Sequence, residues 1–198
     1  MKKALTIALA LCMVLALAAC GGGDADATPT PNYDGSTPTD LLGPSPSPTP
    51  AHDPEPVDEL IINGVHLVRG GELTGVGYSD FDYADGVLTV SDVTVQGTGG
   101  VITVSGGDLE IVVSGEVTLA GEGASAIRGD DSNITITGDG TLNVSATDAA
   151  AIDLSGSLSV GCALTAVGDP ACSSESVSAL EGFAVTVNDG ANLTVAAA

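Results

Sequence analysis

The stretch Ala126-Ile-Arg-Gly-Asp-Asp-Ser-Asn-Ile-Thr-Ile-Thr-Gly-Asp-Gly-Thr-Leu-Asn-Val-Ser-Ala146 repeats a pattern found in the residues before it. Aliphatic side chains follow Ile127 at offsets of 7, 9, 15 and 17, and the same offsets from Ile102 also reach aliphatic residues. Two further units are predicted to start at Ile152 and Leu180, which gives spacings of 25, 25 and 28 residues. A fixed period of this size indicates a repeat architecture. The aliphatic positions of the four units are Leu109, Ile111, Val117 and Leu119; Ile134, Ile136, Leu142 and Val144; Leu158, Val160, Leu164 and Ala166; and Val185, Val187, Leu193 and Val195.

This period predicts an all-β fold, a right-handed parallel β-helix with about 25 residues per coil. Aliphatic residues alternate with polar ones, so each coil would place one set inward, stacked on its neighbours. We expect five to six coils over residues 57–198, with Leu88 to Val95 in an earlier coil and Leu60 to Leu67 in an imperfect first one. The chain ends inside a strand pattern without a polar cap, so we expect a C-terminal truncation. The alternative is an antiparallel sandwich, whose hairpins would not require a fixed period.

The N-terminus has the features of an export signal over residues 1–19. Lys2 and Lys3 precede an apolar run, and small residues precede Cys20. The order Leu17-Ala-Ala-Cys20 resembles the bacterial lipobox, which implies that Cys20 is the lipid attachment site. The prediction is a lipoprotein anchored in the cell membrane and facing the extracellular side. An ordinary secretory signal is the alternative.

Residues 20–56 form a segment rich in Pro, Ser and Thr. Nine of the ten prolines fall within it, and few apolar residues are available for a core. Such a composition cannot offset the entropy cost of ordering, so the sequence predicts a disordered linker.

The charge of the chain restricts its partners. The formal net charge is −22, and it becomes −24 once Lys2 and Lys3 leave with the signal. Such a chain repels nucleic acid and anionic head groups, so we expect no nucleic-acid partner and contact with the membrane only through the lipid. The same acidity would also keep a surface protein soluble.

The segment 78–86 combines carboxylates with aromatic rings. Asp80, Asp82 and Asp85 alternate in the manner of a calcium-binding loop, whose hard oxygen ligands suit that ion. A solvated turn is the alternative. The aromatic rings of this segment would stack on sugars or close the N-terminal end of the core: Tyr78, Phe81 and Tyr83.

A second calcium candidate follows Arg128. Asp130 and Asp131 lie at a predicted corner of the second unit, and Asp148 approaches the next unit. Stacked coils would bring such carboxylates together, and like charges that close favour a shared cation. Otherwise these are ordinary turn residues, with Arg128 neutralising its neighbours.

Two cysteines lie in the predicted solenoid. Cys162 and Cys172 flank a turn where the predicted repeat lengthens to 28 residues, and an oxidising exterior favours a disulfide between them. The alternative is a buried Cys162 and an unrelated exposed Cys172.

The sequence offers little for catalysis. The segment after Cys20 has no Lys, two Arg and two His, of which His52 lies in the linker. Hydrolysis with two carboxylates would have Asp130 and Asp131 available, but without a cationic partner for the substrate. We therefore expect a protein that is not an enzyme.

Residues 75–198 resemble a family of secreted bacterial carbohydrate-binding parallel β-helix proteins, through the repeat 126–146 quoted above. The resemblance implies binding of plant cell-wall polysaccharides, acidic ones included, with calcium as cofactor. At the acidic corner this chain has Asp148-Ala-Ala-Ala-Ile152 in place of the family's Asp-Asp-Gly-Ile run. The predicted function is non-catalytic binding of polysaccharide at the cell surface. The alternative is a structural or adhesive stalk without sugar specificity.

Overall fold

The fold was obtained as a computed structural model, which describes residues 55–188 and 190–198. This range excludes the predicted signal, Cys20 and almost all of the linker. The described part is all-β, a β-solenoid of about four turns of ~24 residues. No helix within it has the length and hydropathy of a membrane span. Its strands are β1 (Glu59–Ile62), β2 (Val65–Arg69), β3 (Glu72–Leu73), β4 (Phe81–Ala84), β5 (Val87–Ser91), β6 (Thr94–Gly97), β7 (Ile102–Ser114), β8 (Glu116–Glu122), β9 (Ile127–Gly138), β10 (Thr141–Thr147), β11 (Ile152–Leu154), β12 (Ser157–Val160), β13 (Ala163–Val167), β14 (Cys172–Ser173), β15 (Ser176–Ala179), β16 (Phe183–Asn188) and β17 (Asn192–Ala197).

The coils present three faces. Face 1 contains the first parts of β7 and β9 with β11 and β14, and face 2 contains β5, the second parts of β7 and β9, β12 and β15. Face 3 is the six-stranded sheet in the order β16-β17-β13-β10-β8-β6. The long strands pass from face 1 to face 2 at Gly106 and at Asp131, both with positive φ.

The core consists of aliphatic columns, one for each inward position of the repeat. Ile102 pairs with Ile127, which pairs with Ile152, all in parallel register and all fully buried. The other columns behave in the same way, so the offsets of the first two units and the residues of the third are confirmed. The parallel fold class is confirmed with them, as is the earlier coil from Leu88 to Val95.

The fourth unit was predicted wrongly. Cys172, not Leu180, stacks on Ile152, so the repeat shortens to 20 residues where the sequence suggested 28. Val185 to Val195 do not form another coil, because β16 and β17 are an antiparallel hairpin and β17 pairs antiparallel with β13. A hairpin needs only a short turn, and it adds two strands to face 3 without a complete coil.

The N-terminal end departs from the repeat in a similar way. Residues Leu60 to Leu67 form the antiparallel pair β1–β2, not an imperfect coil, and β1 joins face 1 antiparallel to β7. Asn63-Gly64 is a two-residue turn with positive φ at both positions, the turn that best fits the twist of a hairpin. The solenoid therefore has about four coils, where five to six were expected.

Candidate binding groove

A row of polar side chains runs along face 2, parallel to the solenoid axis. Asp108 and Asn133 are directly opposite on adjacent strands, and Ser157 follows on the next coil. The Asn133 amide nitrogen donates to an Asp108 carboxylate oxygen at 2.9 Å. The Asn133 amide oxygen accepts from the Ser157 backbone N–H at 3.0 Å and from its hydroxyl at 2.8 Å. Strands ~4.8 Å apart allow short side chains to bridge coils, so the period itself creates this ladder.

A second row lies beside the first. Glu110 is opposite Thr135, and the row continues to Ser159 and Ser178. The Thr137 hydroxyl donates to a Glu110 carboxylate oxygen at 2.8 Å, and the hydroxyls of Ser159 and Ser178 lie 3.1 Å apart. Face 2 thus presents hydroxyl, amide and carboxylate groups at a regular spacing.

The two rows border a depression of about 400 Å³, and a second one of about 520 Å³ adjoins it at Asp85, Gly86 and Asp108. We call the two together the acidic groove. Among the described residues its lining contains five carboxylates and no Lys, Arg or His: Glu55, Glu72, Asp85, Asp108 and Glu110. Leu73 and Tyr83 supply an apolar part at its N-terminal end.

The three aromatic residues proposed for sugar stacking have different environments. Phe81 is 3% exposed and belongs to the hydrophobic core, so its assignment as a sugar contact is wrong; it closes the core, as the alternative foresaw. Tyr78 packs edge-on against Phe81, with ring centroids 6.0 Å apart. Tyr83 is half-buried and lines the acidic groove. Burial raises the pKa of Tyr83, a backbone hydrogen bond with Gly86 opposes that, and the charge of Asp85 adds to it.

The first proposed calcium set lies on a hairpin. Asp85 and Gly86 form the turn between β4 and β5, with φ of +50° and +83°. Asp-Gly is the sequence that this turn type favours, which gives Asp85 a local reason for its position. Asp82 is an exposed strand residue opposite Thr89, and the Asp80 carbonyl accepts from the Ser91 N–H.

The second proposed set is divided between two corners. Asp131 lies between faces 1 and 2, where its N–H donates to the Ser155 hydroxyl at 2.6 Å. Asp148 lies between β10 on face 3 and β11 on face 1, so the expectation that stacking brings these carboxylates together is wrong. Asp130 forms an exposed ion pair with Arg128 at 3.3 Å, the neutralising role named as the alternative. No group of three or more His, Cys, Asp or Glu in the described ranges is arranged to hold a metal ion. Calcium binding stays a prediction.

Both cysteines of the solenoid are free thiols in the structure, which does not contain the predicted disulfide. Cys162 lies at the corner between β12 and β13, whereas Cys172 begins β14 after the next corner. The whole of β13 therefore separates them within one coil. Cys162 is buried, and burial raises its pKa to about 11. Burial also raises the pKa of Cys172; a hydrogen bond with Ser174 opposes this and the charge of Asp153 adds to it.

The ladder residues Asp108, Asn133 and Ser157 were not among the predicted site residues. The sequence contained a signal for them, because Asp108 and Asn133 share an offset of 6 from Ile102 and Ile127. That offset directly precedes an inward aliphatic residue, and such a position points outward on the same face in every coil.

A search with protein-family models, a search of characterised proteins and a search of solved structures each found no match to this chain.

Proposed function

We propose that this chain is a lipid-anchored, extracellular and non-catalytic module that binds polysaccharide along the acidic groove. The observation that carries the proposal is the ladder from Asp108 through Asn133 to Ser157, which follows the solenoid axis beside Tyr83. A polymer lying along the coils would meet similar hydrogen-bonding groups at each step. Sugar-binding sites combine such polar groups with an aromatic face that packs on the ring.

The charge of the groove defines which polymers would bind. In the described part of the chain, five carboxylates line the groove and no cationic side chain does. An acidic polysaccharide would therefore be repelled unless a cation lay between polymer and protein. We propose calcium for that role, since carboxylates of both partners are hard oxygen ligands. Neutral polysaccharides would bind without it. Lipidation at Cys20 would place the groove outside the cell.

The test is affinity electrophoresis in gels that contain a neutral β-glucan or a polygalacturonate, with calcium or with chelator. We expect retardation by the glucan in both conditions and by polygalacturonate only with calcium. Tyr83→Ala should weaken retardation at least about tenfold, because aromatic anchors commonly supply 1.4 kcal/mol or more. Asn133→Ala should weaken it as well.

Two matched controls separate groove effects from general damage. Tyr78→Ala removes the same side chain outside the groove lining, and Asn143→Ala removes an amide from face 3, where it lies between Thr118 and Thr165. Both controls should retain binding. The proposal would be contradicted if neither polymer retarded the chain, or if groove and control variants lost retardation equally. Release of reducing sugar during incubation would contradict its non-catalytic part.

The second candidate function is a stalk without sugar specificity. The observation in its favour is the C-terminal end, where Val187 is 60% exposed and Leu180 39% exposed. Contiguous exposed apolar patches mark contact surfaces, and a stalk would use this end for such a contact. A stalk would show no retardation in either gel.

A further inference from the structure

The hairpin at the C-terminal end leaves β16 at the edge of face 3. In the part of the chain that the structure describes, β16 pairs with β17 on one side and has no strand partner on the other. An unpaired edge is a template for another strand, and proteins usually protect such an edge with Lys, Pro or a bulge. β16 has the sequence Phe-Ala-Val-Thr-Val-Asn, which contains neither Lys nor Pro, and its pairing with β17 is regular throughout.

The register shows which backbone groups of β16 face outward. The Ala198 N–H donates to the Gly182 carbonyl at 2.8 Å, and Gly182 and Ala198 continue the pairing of Phe183 with Ala197. Hydrogen-bonded and non-hydrogen-bonded pairs alternate in an antiparallel ladder. The pairs of Val185 and Val187 are therefore non-hydrogen-bonded, and the N–H and C=O of these two residues point away from β17. The N–H of Phe183 is already bonded to the Leu180 carbonyl.

The side chains around this edge are suited to contact. Val187, Leu180 and Val167 are three of the five large apolar residues that the described part exposes, and all three lie at this end. The six residues of β16 carry no ionisable side chain, although the chain as a whole has a net charge of −22. The strand itself therefore adds no charge repulsion between two copies.

We propose that β16 pairs antiparallel with β16 of a second copy, about a two-fold axis at Thr186. In that register Val185 of each copy is opposite Val187 of the other, so the outward N–H and C=O groups of both residues form four hydrogen bonds. Such pairing forms an isologous two-fold interface, to which both copies contribute the same residues. Face 3 would become a sheet of twelve strands, and the exposed Val187 side chains would be covered. The contact is small, so it forms a weak dimer that concentration controls.

The test is sedimentation equilibrium over a range of concentrations, on the chain from residue 20 to residue 198 with Cys20→Ser to prevent lipidation. We expect the mass to rise from one chain to two and no further. Val187→Lys should keep it at one chain, because a charge at an exposed edge opposes pairing. Val76→Lys is the matched control: Val76 is 52% exposed, lies outside the strands, and receives the same charge. It should dimerise as the unsubstituted chain does.

Amide hydrogen exchange on the unsubstituted chain tests the register without a substitution. The amides of Val185 and Val187 should exchange more slowly as the dimer forms, while the amide of Val76, which donates to the Thr74 hydroxyl, should not change. A single-chain mass at every concentration, assembly beyond two chains, or equal dimerisation of Val187→Lys would overturn the proposal. So would unchanged exchange at Val185 and Val187 where the mass has doubled.

Discussion

The central coils and the two ends of the solenoid use similar strand sequences but pair them in opposite senses. From Ile102 to Val167 each strand stacks in parallel on its equivalent one coil away. Residues 59–91 and 183–197 instead contain antiparallel hairpins, namely β1–β2, β4–β5 and β16–β17. The residues between strands make the difference. Parallel strands need a connection that completes a coil, whereas the two-residue turns Asn63-Gly64 and Asp85-Gly86 return the chain at once.

The largest expected difference between the two regions is in the cost of removing a side chain. Ile136 is fully buried between Ile111 and Val160, so Ile136→Ala leaves a cavity inside the stack and should lower the free energy of unfolding by about 2–5 kcal/mol. Val187→Ala at the C-terminal hairpin removes a 60% exposed side chain and should change it by less than about 0.5 kcal/mol. Urea unfolding below the dimerisation range measures both. Equal losses of unfolding free energy in the two variants would contradict this difference between the central coils and the C-terminal hairpin.

A smaller difference should appear at the turns. Gly138 in the central coils has a φ of +115°, and a Cβ there would come within 2.0 Å of the Val113 carbonyl oxygen. Gly182 before β16 has a φ of +87° and open space around it. Gly182→Ala should lower the free energy of unfolding by ~1–2 kcal/mol, the cost of placing alanine in the left-handed region. Gly138→Ala should lower it by clearly more, because the added Cβ also collides with the backbone. Thermal unfolding of the two variants gives the comparison, and a similar loss in both would contradict the close packing at Gly138.

The smallest expected effect is a pH dependence from Cys162 in the central coils. Burial favours its neutral thiol and raises its pKa from about 9 to about 11. Its contribution to stability should be complete below about pH 9 and be lost as the pH rises toward 11, because above pH 9 the unfolded chain binds fewer protons than the folded one. Cys162→Ala should reduce this slope between pH 9 and 11. Cys172→Ala should reduce the slope less, because the hydrogen bond with Ser174 opposes the effect of burial on the pKa of Cys172. An unchanged slope in Cys162→Ala would contradict the assignment.

Prediction from the sequence succeeded in the central coils and failed at the ends. The offsets from Ile102 and Ile127 predicted the stacked columns, because a coil of constant length leaves its period in the sequence. The prediction was wrong at Leu180, because the turn before Cys172 already brings the chain back to the start of the next coil. In the sequence, a coil shortened by five residues and followed by a hairpin with alternating aliphatic residues looks like one lengthened repeat. Only the direction of the strands distinguishes the two arrangements.

For the site, the sequence predicted some residues that line the acidic groove, but not the residues that stacking of the coils places beside them. Tyr83 and Asp85 line the acidic groove, as does Asp108, which was not predicted. Carboxylates were selected because they are close in sequence, as in Asp80 to Asp85. The solenoid instead brings together residues about 25 positions apart, such as Asp108 and Asn133. Asp131 and Asp148 are separated because they occupy different corners, which a repeat length alone does not identify.

Because Asp108, Asn133 and Ser157 lie one strand spacing apart, the length of the groove depends on the number of coils. Each added coil would extend it by one strand spacing, ~4.8 Å, and would supply one more bridging side chain without altering those already present. A lineage that duplicated or lost a 25-residue unit would thus change the length of polymer that the proposed binding site would contact, while the core remained intact. Selection for longer or shorter ligands would then act on the number of coils, and selection for ligand chemistry on the outward residue of each coil.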